Sequence, residues 1–75
     1  MNSELLEAAR AKYEAEVLKY KANIRVYLFQ SVGIGEHPDI VSAVEEQIAL
    51  LAEAEEKLSV TNKLITEMSD RVTRY

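Results

Sequence analysis

The residues best suited to chemistry in this chain are few. There is one histidine, His37, and no cysteine, so a nucleophile and base pair reduces to a hydroxyl with His37, the nearest hydroxyls in sequence being Ser31 and Ser42. Neither lies in a nucleophile elbow or a Ser-x-x-Lys arrangement. Glu36, His37 and Asp39 offer one imidazole and two carboxylates on a turn, but no second histidine completes a metal set, and a role for Glu36 or His37 in capping the next helix is the plainer reading. The carboxylates Glu45, Glu46, Glu53, Glu55 and Glu56 sit among helix formers and read as a solvated acidic face. Gly33-Ile34-Gly35 precedes a helix, as phosphate-binding loops do. Yet no strand comes before it and no Gly-Lys-Ser/Thr ending follows, and Glu36 and Asp39 would repel a phosphate. We expect no catalysis, no cofactor and no metal.

Binding is better supplied. Lys12 and Lys19 are seven residues apart and Lys21 and Arg25 four apart, so basic groups can line two edges of a helix. Tyr13, Tyr20 and Tyr27 repeat at the same seven-residue interval, and aromatic rows beside cations can stack on single-stranded bases. Tyrosine in a helix seam more commonly packs its ring and sends its hydroxyl to the rim. The chain has 9 basic and 13 acidic residues, a net charge of −4, which is not the electrostatic footprint of non-specific DNA binding. Residues 1–35 carry five basic and four acidic groups and residues 36–75 four and nine, so the acidic second half suits a basic protein surface. Lys12, Lys19, Lys21 and Arg25 are the candidate contacts for a partner or for weakly bound single-stranded DNA.

The elements that must carry these residues follow from where the helix breakers fall. Both glycines and the one proline lie between Gln30 and Asp39, in SVGIGEHP; the rest is rich in Ala, Leu, Glu and Lys, which favour helix. The pattern predicts an all-α fold, an antiparallel helical hairpin with one helix over about 4–30, a turn at 31–37 and a second helix over about 38–72, residues 1–75 forming a single domain. Ser3 can cap the first helix, with Glu4 and Glu7 at its positive end. Gly33 and Gly35 supply turn geometry. Pro38 suits a first helical position, followed by Asp39 in the first turn.

The first seam runs Leu6, Tyr13, Val17, Tyr20, Ile24 and Tyr27 or Leu28, in the alternating steps of four and three that mark helices packed at a shallow angle. Arg10 interrupts it. The second seam reads Val41, Val44, Ile48, Leu51, Ala54, Leu58, Thr61, Ile65, Met68 and Val72, with one heptad short by a residue at Ile48–Leu51–Ala54. Lower helix propensity at Ser59, Thr61 and Asn62 allows an alternative in which the helix breaks near 59–62 and a three-helix bundle forms. Continuity is favoured because no glycine or proline enforces that break.

Of 75 residues, 48% are hydrophobic. That is 36 residues, nine of them alanine, and a chain this short buries only about 60% of its unfolded surface. Leu18, Phe29, Leu50, Val60 and Leu64 lie off both seams and a single hairpin cannot cover them, so we expect a homodimer or a protein partner. The longest stretch without a charged residue, Val26–Gly35, is half of what a bilayer requires. MNSELLEAAR lacks the basic start and apolar core of a secretory leader, and without cysteine a reducing compartment is expected. The expectation is a cytoplasmic protein without a membrane span.

The stretch YKANIRVYL at residues 20–28, followed by VGIGEHPDI at 32–40, resembles small helical proteins encoded by tailed phages of the T-even type. It is most similar to the short family that accompanies the phage recombination helicase UvsW. The similarity covers roughly Tyr13 to Leu58, and VGIGEHPDI is its specific part. The resemblance implies a helical hairpin without its own ATPase, acting beside phage DNA recombination, repair and replication in the host cytoplasm. It brings no catalytic residue. The alternative is an assembly adaptor or an inhibitor of a host protein that does not touch nucleic acid.

Overall fold

A computed structural model describes residues 3–29 and 39–73, with side chains through residue 69. Two helices account for nearly all of them: α1, Glu4–Phe29, and α2, Ile40–Thr73. At 1.5 Å per residue these are about 39 Å and about 51 Å long. They pack against each other along their length, there is no strand among the described residues, and the molecule measures 62 × 15 × 15 Å. This is the all-α helical hairpin that the breaker distribution predicts. Gly33, Gly35 and Pro38, the expected turn residues, lie outside the described residues, as do Ser31, Glu36 and His37.

Two cross-helix pairs fix direction and register. Asn23 Nδ2 donates to Gln47 Oε1 at 2.9 Å. Ten residues back along α1, Tyr13 lies under the Lys57 ammonium, ten residues forward along α2, at 5.8 Å. The helices are therefore antiparallel. Because 23 and 47, and 13 and 57, both total 70, residue n of α1 lies level with residue 70 − n of α2. Glu4 is then level with Thr66, and the last turns of α2 run past the start of α1.

α2 is continuous through Ser59, Thr61 and Asn62, so the alternative of a break near 59–62 does not hold. Thr61 is accommodated without a break. It is 6% exposed and its hydroxyl donates to the Lys57 carbonyl at 2.7 Å. The polar group is satisfied one turn back within the same helix, so it neither competes for other backbone groups nor stays unpaired against the partner.

The start of α2 differs from the proline-led expectation. The helix begins at Ile40, and Asp39 is its cap rather than a first-turn residue: Asp39 Oδ1 accepts the Ser42 N–H at 3.1 Å and its carbonyl accepts the Ala43 N–H at 3.3 Å. A carboxylate at this position both satisfies a free N–H and meets the positive helix end. At α1 the Ser3 carbonyl accepts the Glu7 N–H at 2.8 Å, so Ser3 stands where a capping residue is expected.

The seam on α1 is Leu6, Arg10, Tyr13, Val17, Tyr20, Ile24 and Tyr27, all half-buried, and Leu28 is exposed. Arg10 does not interrupt the seam but occupies one of its positions, its guanidinium paired with the Glu7 carboxylate one turn away. The seam on α2 is Ile40, Val44, Gln47, Leu51, Ala54, Leu58, Thr61 and Ile65. Its steps alternate four and three without a fault. The short heptad expected at Ile48 is absent, because Ile48 is 51% exposed and Gln47 holds its place. Val41 and Met68, also assigned to the seam from sequence, are exposed. Ala54, at 2% exposure, is the one buried apolar residue among those described. A pair of helices has a seam rather than an interior.

Candidate interaction surface

The heptad geometry covers the two flanks of the seam unequally. On one flank Ala9, Glu16 and Asn23 of α1 and Ala43 and Leu50 of α2 are half-buried. The opposite flank is made by Glu14, Lys21 and Leu28 of α1 and by Val41, Ile48, Glu55 and Asn62 of α2, all exposed. An open cleft of about 770 Å³ runs along this side, with Val17, Lys21, Glu55, Leu58 and Asn62 among its walls.

The open flank is graded along its length. Leu28 lies one level from Val41, near the turn, and both are more than half exposed, at 60% and 69%. Ile48 follows Val41 by one heptad. Farther from the turn the same columns continue as Lys21 and Glu14 on α1 and as Glu55 and Asn62 on α2. The turn end therefore presents an apolar patch, and the middle of the flank is charged. A second apolar group, Leu5, Val60, Leu64 and Met68, sits at the other end of the molecule toward the opposite flank and is exposed as well. Each leucine or isoleucine side chain fully withdrawn from water stabilises an assembly by about 1.5–3 kcal/mol, so these groups can drive association.

Lys12, Lys19, Lys21 and Arg25 are all exposed on α1. They fall in two columns, Lys12 with Lys19 and Lys21 with Arg25, as their spacing predicts, separated by the outward-facing Ala8, Ala15 and Ala22. The tyrosines do not share that surface. Tyr13, Tyr20 and Tyr27 are half-buried in the seam, Tyr13 beneath Lys57 of the opposite helix and Tyr20 beneath Lys19, whose ammonium is 5.3 Å from the ring centre. Lys19 thus meets Tyr20, while the tyrosines as a row line the seam of the hairpin.

The acidic residues of α2 are mostly dispersed. Glu45, Glu46, Glu53, Glu55 and Glu56 are exposed, Glu53 pairs with Lys57 at 3.8 Å in an exposed contact between successive turns, and no group of three or more potential metal ligands is assembled among the described residues. Sequence reasoning missed the open flank as a unit. Its signal was present in the seven-residue spacing of Val41 and Ile48, which the apolar pattern of α2 alone assigns to the seam. No helix among the described residues is long and apolar enough to cross a membrane. No protein-family model matches the chain, and no curated protein and no solved structure matches it either.

Proposed function

We propose that this protein acts by binding and without catalysis, as a small accessory module that docks on another protein. The observation that carries this reading is that ten large apolar side chains are exposed among the described residues, while those of the seam are only half-buried. The resemblance of VGIGEHPDI and the preceding helix to the UvsW-associated phage proteins supplies the setting, phage DNA recombination, repair and replication in the host cytoplasm. The tagged protein used as bait in phage-infected cells is expected to recover a component of that machinery, and Leu64→Lys to abolish the recovery. Recovery of host proteins alone, with the same dependence on Leu64, would instead favour an adaptor or inhibitor outside DNA metabolism.

A second reading, direct contact with single-stranded DNA, is favoured by the exposure of Lys12, Lys19, Lys21 and Arg25 on one helix. It predicts NMR shifts at these four residues on addition of an oligonucleotide at about 50 mM salt, fading as salt rises because phosphate contacts release counterions. Unmoved signals at low salt would remove it. The net charge of −4 makes the protein contact the stronger of the two.

A further inference from the structure

We propose that the outer face of α1, around Leu18 and Arg25, docks on the outer face of α2 of a second copy, around Ala52 and Glu45. The proposal goes beyond the binding reading above and does not involve Leu64. Composition is the first observation. A surface helix ordinarily turns polar residues away from its seam. From residue 8 to residue 29, the three heptad positions of α1 opposite the seam hold four alanines, Leu18, Val26, Phe29 and the cations Lys12, Lys19 and Arg25, all exposed. No acidic residue lies among them. From 42 to 56 the corresponding positions of α2 hold only Ser42, two alanines and the acids Glu45, Glu46, Glu53 and Glu56, also exposed. The two outer faces are opposite in charge, one bearing bulky apolar groups and the other small ones.

Register is the second. The two cross-helix pairs set residue n of α1 level with residue 70 − n of α2, and a copy displaced sideways without sliding keeps that relation. Arg25 then comes level with Glu45, and Leu18 with Ala52, both pairs on the open-flank side. On the other side Lys19 comes within two residues of the level of Glu53, about 3 Å along the axis. Lys12 stands equally near the level of Glu56. Large thus meets small and each cation meets an acid. A slide of one heptad either way sets Leu18 level with Glu45 or Ser59 and parts Arg25 from Glu45. The contact of Glu53 with Lys57 of its own helix, at 3.8 Å and exposed, is too weak to withhold Glu53. Arg25 lies between Leu18 and Phe29 on its face, a place for a facing carboxylate and not for hydrocarbon. Because every copy offers both faces, the contact is heterologous and repeats into an open row.

Light scattering of the full chain over a concentration series is expected to show masses that pass beyond two copies. Arg25→Glu and Glu45→Arg should each weaken association about tenfold or more, since like charges then face each other. An equimolar mixture of the two variants should restore it, because each altered face then meets the opposite charge on the other variant. Should either variant lose helicity, cysteine reporters decide, since the chain has no cysteine. Leu18→Cys mixed with Ala52→Cys should cross-link between copies under mild oxidation, and neither should do so alone.

A monomer at every concentration, a mass that stops at two copies, a mixture no better than its components, or Leu18→Cys cross-linking equally well alone would overturn the proposal. So would a monomer that binds phosphatidylserine vesicles through Arg25, which would give that face to a membrane. A monomer whose recovery of a partner still depends on Leu64 refutes the second copy and leaves the accessory reading standing.

Discussion

Asn23 and Gln47 meet across the hairpin, amide to amide, at 2.9 Å. Gln47 lies on the α2 seam itself, where every neighbour one heptad step away is apolar or small. A single polar pair in such a seam specifies register at some expense of stability, because any slip of the helices would leave both amides without a partner. Asn23→Ala is therefore expected to lower unfolding stability by about 1 kcal/mol. Replacing both residues with leucine should raise the midpoint in urea while loosening register. Spin labels at residues 13 and 57 would then report a broadened distance. A narrow distribution in the double variant would show that the pair does not set the register.

The closest approach of the helices is expected at Ala54, and the register places Ala54 and Thr61 on either side of the level of Tyr13. Small side chains there make room for the tyrosine ring. Ala54→Leu should overpack this layer and destabilise the hairpin by about 1–3 kcal/mol. Thr61→Val should behave differently. Its hydroxyl bonds only to a carbonyl of its own helix, so removing it exposes no orphan across the interface, and the added methyl remains buried; stability should stay within about 1 kcal/mol of the parent. Thermal unfolding of the two variants side by side distinguishes a size limit from a polarity requirement.

Asp39 carries the start of α2 through its bond to the Ser42 N–H. Asp39→Ala should cost about 1 kcal/mol, and Asp39→Ser much less because a hydroxyl also caps. In a domain of this size the alanine variant should melt roughly 4–8 °C lower. Equal melting of the two variants would place the helix start elsewhere.

The hairpin is legible in the sequence because its signals are local. All the helix breakers fall in one segment, and the tyrosine row repeats every seven residues on α1, so the helix number, the extent of α1 and most of its seam follow from a single chain read in isolation. The misplaced residues are those whose position depends on the opposite helix. Ile48 outranks Gln47 on hydrophobicity, and only the presence of Asn23 across the interface explains why Gln47 faces inward and Ile48 outward. Asp39, expected from sequence within the first turn after Pro38, is instead the cap, because its carboxylate reaches the Ser42 N–H. The cations of the candidate contact surface were placed correctly on two edges of α1, since exposed charge follows directly from helical spacing. The open apolar flank was not visible as a surface, because Leu28 and Val41 are distant in sequence and become neighbours only through the register.

Arg10 presents the converse of Gln47, a charged residue in the seam with its partner on its own helix. Its pairing with Glu7 is half-exposed on both sides, and such pairs contribute about 0–1 kcal/mol. The guanidinium stem fills a position that Val17 and Ile24 fill one and two heptads along. Arg10→Leu should therefore stabilise the hairpin, by about 1 kcal/mol once the lost ion pair is set against the buried side chain. The gain should appear as slower amide exchange in the first three turns of α1, the section this residue anchors, with exchange near Ile24 unchanged. Faster exchange there would mean that Arg10 holds α1 through its charge, and the seam would have to be redrawn with its first turn at Tyr13.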